Sequence, residues 1–547
     1  MSNIHINSFP VEILTEIFKS TLHVHPNLTE LDHPDLDGNF NLCVQYDDGS
    51  MKVDAPTLDI SQTCQLWRTI ANSIPALWSR MFIHLGCEKE AYVDLAKLYL
   101  DRSSPALLKL EFHSYRDGDY VSIFNGGILL LQAFIQERRR WRVVDFNPTS
   151  IGMFYQSLQV QSGNCENLET LCLPDESILL GIPDLFCNML RQSPKLRTLI
   201  VDGQTVRQFV KVLPCNQITT ISLPGMTAQR MNWAEYHSFF SHCPNLRELH
   251  VTSFHPWRSS FSVANGGTLL PNVCKLTVEN RYWFSPDEST NDNSYNTLSL
   301  SNIFKALKTP SLSSLVLVGQ DGHVREQSKC FRHIQEFLRI SACHLQHLKL
   351  IGDLLDTEKL LQLLKQLPTL EHLSIQNGQR RLGVFEGLTV KRRSNKDREP
   401  MQDGSPSQAE EDDWSTSILV PRLTQFDVTI RLRSQDLKKS SKKKTKKTKE
   451  VKDVDGHDQP SADDSDSSDS DQIYAMVRSR MRQPDQYGPR PDSFGISDMR
   501  YFRIVVLLGT NSETTWKWLD NFRLSTIPQL RALTKEGLQL EVDYEQE

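Results

Sequence analysis

The amino-acid sequence predicts an α/β fold: a small N-terminal helical unit followed by an irregular solenoid of parallel strands and helices. Three observations carry that expectation. A triplet of apolar residues, spaced apolar-x-x-apolar-x-apolar, returns about a dozen times between residues 107 and 507. Helical apolar patterns fill the intervals and stop at prolines. Ahead of the series lie two stretches, near residues 9–22 and 58–83, with helical rather than strand periodicity.

In the second stretch Ile60, Cys64, Trp67 and Ile70/Ala71 share one helical face. Pro75 opens a further short helical turn carrying Leu77, Trp78, Met81 and Phe82. In the first stretch Pro10 suits a helix start, where a missing N–H costs nothing. Glu12 and Glu16 lie toward the positive helix end, and Ile13, Leu14, Ile17 and Phe18 form an apolar stripe. Three short helices with this apolar load need a larger core or a partner surface. Residues 26–56, rich in Pro, Gly and Asp, read as an acidic loop between the stretches.

Pro10-x-Glu12-Ile13-Leu14-x-x-Ile17-Phe18, then Ser61-x-x-Cys64-x-x-Trp67-Arg68-x-Ile70-Ala71 and Pro75-x-Leu77-Trp78, resembles an F-box. The likeness is to the F-box-like family abundant in mushroom-forming fungi, and it covers residues 1–85. Phe9 stands where that family usually has Leu, and the 26–56 insertion departs from its compact spacing. The resemblance implies docking on a Skp-type adaptor of a cullin–RING ubiquitin ligase. It places Pro10, Ile13, Leu14, Ile17, Cys64, Trp67 and Trp78 at the interface or supporting it. Trp67 on its own fits a pure core residue equally well. A generic helical cap on a larger domain is the alternative for the whole unit.

From residue 86 the triplet governs the chain. Its copies are Leu107/Leu110/Phe112, Trp141/Val144/Phe146, Leu168/Leu171/Leu173, Leu196/Leu199/Val201, Ile218/Ile221/Leu223 and Leu246/Leu249/Val251. They continue as Val273/Leu276/Val278, Leu312/Leu315/Leu317, Leu345/Leu348/Leu350, Leu370/Leu373/Ile375, Leu423/Phe426/Val428 and a late Phe502/Val505/Leu507. The last two positions alternate as on a strand. Helical patterns before Pro194, Pro244 and Pro368 end where proline disfavours helix. A strand plus a helix repeated at this length is a leucine-rich-repeat solenoid. The Asn or Cys usual three residues beyond the last Leu is missing: Glu176, Gln204, Met226, Phe254, Arg281, Gln320, Asp353 and Gly378 stand there. Uneven loops are therefore expected, as in the divergent repeats that follow many fungal F-boxes; a generic α/β domain is the alternative.

The repeats are expected over 86–432, with a charged loop at 391–416, and again over 494–547 as a last repeat and cap marked by Trp516, Leu519 and Phe522. Between them, 433–493 holds a lysine block, Lys438–Lys449, and an acidic serine block, Asp463–Asp471. Neither buries enough apolar surface to offset ordering entropy, so this insert is expected to be disordered. The lysine block reads as a nuclear import signal masked by phosphorylation of the neighbouring serines, or as a solvated spacer.

Composition bounds the function. At 547 residues with 39% hydrophobic content, polar sequence dilutes the core. A net charge of -6 makes no global case for nucleic acid, and the lysine block lacks interleaved aromatics. No signal region and no apolar run of membrane length is seen, so an intracellular protein, cytoplasmic or nuclear, is expected. The 11 scattered cysteines include no C-x-x-C and read as buried thiols. No phosphate loop and no nucleophile elbow occurs, and His344-x-x-His347 lacks metalloprotease spacing. The expectation is no enzyme, no cofactor and no metal. The solenoid would hold an unidentified protein substrate on the open strand face, through Glu248, His250, Lys275, Glu279, His347, Lys349, His372 and Gln376. A repeat scaffold that binds a partner without recruiting a ligase is the runner-up, and no specific nucleic-acid or membrane partner is expected.

Overall fold

The computed structural model describes residues 6, 9–20, 40–47, 50–85, 90–113, 125–147, 150, 154, 163–173, 184–201, 213–224, 233–253, 268–280, 303–319, 327–352, 354–378, 383–389, 419–432, 469–481, 498–508, 519–520 and 522–546. They belong to two compact units, Met1–Ser262 and Val263–Glu547. Each is α/β, with a mostly parallel sheet backed by helices.

The strands of the first unit are β1 (Leu42–Asp47), β2 (Ser50–Asp54), β3 (Arg80–His84), β4 (Leu108–His113), β5 (Trp141–Phe146), β6 (Thr170–Leu173), β7 (Thr198–Val201), β8 (Thr220–Leu223) and β9 (Glu248–Ser253). They lie side by side in the order β9-β8-β7-β6-β5-β4-β3-β1-β2. Among the described residues of this unit only the β1–β2 hairpin is antiparallel. Its described helices are α1 (Val11–Ser20), α2 (Pro56–Thr63), α3 (Gln65–Asn72), α4 (Glu90–Arg102), α5 (Asn125–Gln136), α6 (Asp184–Arg191) and α7 (Trp233–Ser241).

The second unit holds a two-stranded pair, β10 (Thr268–Leu269) with β12 (Leu307–Lys308). Its larger sheet runs β11 (Lys275–Asn280), β13 (Ser314–Gly319), β14 (His347–Ile351), β15 (His372–Gly378), β16 (Gln425–Leu432), β17 (Tyr501–Leu508) and β18 (Gln539–Gln546), all parallel. The described helices are α8 (Gln327–Ser341), α9 (Thr357–Leu364), α10 (Gly383–Leu388), α11 (Asp469–Arg480) and α12 (Ile527–Thr534).

The triplet explains the stacking. Leu110, Val144, Leu171, Leu199, Ile221 and Leu249 lie in one cross-strand register and are buried. Leu276, Leu315, Leu348, Leu373, Phe426 and Phe502 form the matching line in the second unit. Parallel strands in register place like residues on like, so one apolar pattern builds a continuous core. Aromatic rings thicken it: Phe112 lies 5.3 Å from Phe134 and 5.4 Å from Phe146, and Phe154 lies 4.6 Å from Phe146.

The residue before the first triplet position ties neighbouring repeats together. The Asn167, Gln217 and Asn245 amides donate to the carbonyls of Arg139, Ser193 and Asn216 at 2.7, 2.6 and 2.6 Å. Of the positions expected to lack the usual ladder residue, only Gly378, the last residue of β15, is described.

Several expectations are corrected. The helix through 58–71 is two helices, because Cys64 is extended (φ -157°, ψ 171°) and its Sγ accepts from the Trp67 N–H at 3.5 Å. Cys64 is thus an N-cap rather than a face residue. The turn from Pro75 ends at Trp78, and Met81 and Phe82 belong to β3. Trp78-x-x-Met81-x-Ile83 is in effect a repeat triplet, with Met81 and Ile83 paired to Leu110 and Phe112. The helices of residues 56–78 therefore run directly into the sheet at Arg80. The acidic loop is not all loop either: 42–54 forms the β1–β2 hairpin, while 26–39 lies outside the described residues.

The late triplet is out of phase. Phe426 pairs Phe502 and Val428 pairs Ile504, so the copy is Met499/Phe502/Ile504 and Val505 and Leu507 face the other way. The unbroken apolar run 504–508 has no alternation to reveal its phase. After Phe522 the cap runs through α12 and adds a strand, β18, that the sequence reading lacked; Trp516 lies outside the described residues.

The expected disorder of 433–493 fails over 469–480, which is helix α11. Ile473, Met476, Val477 and Arg480 are fully buried at helical spacing. The Arg480 guanidinium donates to the carbonyls of Leu388, Val420 and Leu419 at 2.9, 3.0 and 2.6 Å. Composition averaged across the charged blocks hid this short apolar stripe. The lysine block, residues 463–468 and the 391–416 loop lie outside the described residues.

Candidate functional site

The N-terminal helices divide the residues expected at an interface. Leu14 and Trp78 are core: both are fully buried, and the Trp78 indole N–H donates to the Ala71 carbonyl at 2.8 Å. Tyr99 packs edge-on to Trp78 at 4.8 Å, and the Arg102 guanidinium lies 4.5 Å over its ring. Ile17, Cys64 and Trp67 are half-buried, with Trp67 5.0 Å from Phe18. Pro10 and Ile13 are exposed. So are Ile6, Phe9, Val11 and Leu66, which the sequence reading did not place at the interface; Ile13 and Val11 are 47% and 49% exposed.

The second candidate is the open sheet face, the alternate residues opposite the core. In the first unit it is dry. Phe82, Glu111, Asp145 and Ser222 occupy it and are buried, as are Cys43 and Ile200. His113 Nε2 lies 2.6 Å from Glu111 Oε1, and its ring stacks on Phe82 at 4.5 Å. Asp145 and the Cys172 thiol are hydrogen-bonded. Burial, then the Glu111 charge, pushes Asp145 up to about 6. Burial, then His113, pulls His84 down to about 4. Glu248 and His250 lie half-buried farther along this face, with His250 Nδ1 3.3 Å from Ser222 Oγ.

In the second unit the same face is wetter. His347 and His372 stack at 4.3 Å, and burial, then His372, holds His347 below the usual imidazole value. Lys275, Lys349 and Gln376 are half-buried. Glu279, expected on the open face, is buried. Toward β18 the face is charged: Arg503 donates to Asp543 at 2.9 Å and the Tyr501 hydroxyl to Glu541 at 2.6 Å. Burial raises Asp427 above the usual carboxylate range.

The structure thus brings His347, Lys349, His372 and Gln376 onto two paired strands, and Glu248 with His250 onto one. The sequence reading put Phe82 on a helical turn and missed Glu111, His113, Asp145, Arg503 and Asp427. Strand alternation between Leu110 and Phe112, or between Phe426 and Val428, would have found most of them.

Among the described residues no group of three or more His, Cys, Asp or Glu is placed to hold a metal, and no helix is long and apolar enough to cross a membrane. No protein-family model matches the chain, and no curated protein matches its sequence significantly.

Proposed function

We propose that the chain is a substrate-recognition adaptor of a Skp–cullin–F-box-type ubiquitin ligase. In this reading the N-terminal helices dock on the Skp-type adaptor and the repeat sheet holds a protein substrate. The observation that carries the reading is the split of the N-terminal helices into a buried and an exposed apolar side. Leu14, Phe18, Ile70 and Ala71 anchor them, while Phe9, Val11, Ile13 and Leu66 remain in solvent. An amphipathic helix fixed from behind with apolar residues in front is the physical form of a helix-in-groove contact. Its likeness to the F-box pattern supplies the partner. The half-buried polar row on β14 and β15 would contact substrate, since a partly desolvated polar face gains specificity when a matching surface covers it.

Binding of purified full-length chain to a purified Skp-type adaptor tests this. Ile13→Asp with Leu66→Asp changes only exposed residues, so the thermal transition should hold while affinity falls about 100-fold or more. Wild-type affinity in the folded double variant rejects the docking surface and favours the scaffold reading.

A further inference from the structure

The turns that precede the strands stack as regularly as the strands. Three residues before the first triplet position, a backbone carbonyl accepts from that position's N–H: Cys165 to Leu168, Ser193 to Leu196, Cys215 to Ile218 and Cys243 to Leu246, each at 3.2 Å. A constant register carries this position from repeat to repeat. Thr220 pairs Glu248 and Ile221 pairs Leu249, and the same offset relates Cys215 to Cys243. The Asn245 amide, donating to Asn216 at 2.6 Å, locks the two turns to each other. The row therefore reads Cys165, Ser193, Cys215, Cys243, and only its last two neighbours are both thiols.

The two cysteines lie in turns that lead into paired strands, which run about 4.8 Å apart, and their mutual hydrogen bond brings the sulfurs together; a disulfide needs Cα atoms about 4.4–6.8 Å apart. We propose that Cys215 and Cys243 are a convertible staple, a dithiol under reducing conditions and a disulfide when a low-molecular-weight disulfide is present. Neither cysteine is in a disulfide, both are buried, and their thiols hydrogen-bond to each other. Cys215 is the first nucleophile: the hydrogen bond from Cys243 stabilises its thiolate and lowers its pKa, whereas Cys243 is raised. The Cys215 thiolate attacks one sulfur of glutathione disulfide, forming a mixed disulfide and releasing one glutathione thiolate, which takes up the Cys215 proton. The Cys243 sulfur then attacks Cys215 Sγ, forming the internal bond and releasing the second glutathione, which takes up the Cys243 proton. Two thiols are oxidised and one glutathione disulfide is reduced to two glutathiones. Cys165, with Ser193 beside it, has no such neighbour. The staple would join the turns that lead into β8 and β9, the strands that carry Ser222 and His250 on the open face.

The test incubates the folded full chain with glutathione disulfide, quenches with acid, unfolds, alkylates and maps the peptides. A fragment joining Cys215 to Cys243 is expected, with the thermal transition of the oxidised chain raised by about 5–10 °C. Cys243→Ser should give no joined fragment and leave Cys215 as a glutathione adduct; Cys215→Ala should lose both, with Cys165 alkylated throughout. Wild-type protein with both cysteines fully alkylated, or with stable adducts and no joined fragment, overturns the proposal. A joined fragment with an unmoved transition overturns the stapling role.

Discussion

The open sheet faces of the two units obey one rule and meet different surroundings. On β13 and β14 burial alternates residue by residue, core side buried and open side half-buried. On β3 and β5 four and five residues respectively are buried, on both sides of the strand. Alternation assigns a residue to a face; it does not say what stands over that face. A polar residue is consequently a half-wet contact on β14, as Lys349 is, and a desolvated group held above the usual carboxylate range on β5, as Asp145 is.

Truncation separates the two faces most strongly. Phe82→Ala removes a buried ring packed 5.6 Å from Phe40 and 4.5 Å from His113, and should cost about 3 kcal/mol or more in urea unfolding. A loss below about 1 kcal/mol would mean that the open face of the first unit is as loosely covered as that of the second.

The pH dependence of stability sharpens the contrast. Asp145 binds its proton more tightly folded, at about 6, than at the ordinary 3.8, so its contribution is full at low pH and lost as pH rises through 6. His84 binds its proton less tightly folded, at about 4 against 6.5, so its contribution is present above 6.5 and lost as pH falls toward 4. The two nearly cancel between pH 4 and 6.5. Asp145→Asn should leave stability rising across that window by on the order of 3 kcal/mol, and His84→Asn should leave it falling by a similar amount. Equal, flat profiles in both variants would show that neither group is desolvated. The smallest effect is expected from Lys349→Ala, within about 0.5 kcal/mol, because its stem is half-exposed and its face is wetter. A larger loss would make the second unit's face part of the core.

Much of the fold was legible because its period is short and repeated. Eleven of the twelve triplets, from Leu107 to Val428, map onto strands, and the helix stops before Pro194, Pro244 and Pro368 agree with the ends of α6, α7 and α9. The failures cluster where one local pattern had two readings. Trp78/Met81/Ile83 fits a helical turn or a strand, and only pairing with β4 selects the strand. Ile504–Leu508 has no phase until Phe426 pairs Phe502. Ile473/Met476/Val477 was lost inside charged sequence, and Arg480 became a core residue only because three carbonyls converge on its guanidinium. On the N-terminal helices the sequence named the apolar residues without dividing Leu14 and Trp78, which are core, from Ile13, which is exposed.

By itself the sequence determined the α/β class, the repeated triplet, the parallel strands and, for eleven of the twelve triplets, the residues sharing each face. These follow from side-chain periodicity, a local property of the backbone. Only the tertiary structure decided where the first repeat begins, which end of the chain adds a further strand, and which polar residues lose their water. Those depend on register and on what lies opposite, contacts between residues far apart in sequence. Glu111 and His250 lie between the last two apolar positions of their triplets in the same way, yet one is buried against His113 and the other is half-buried.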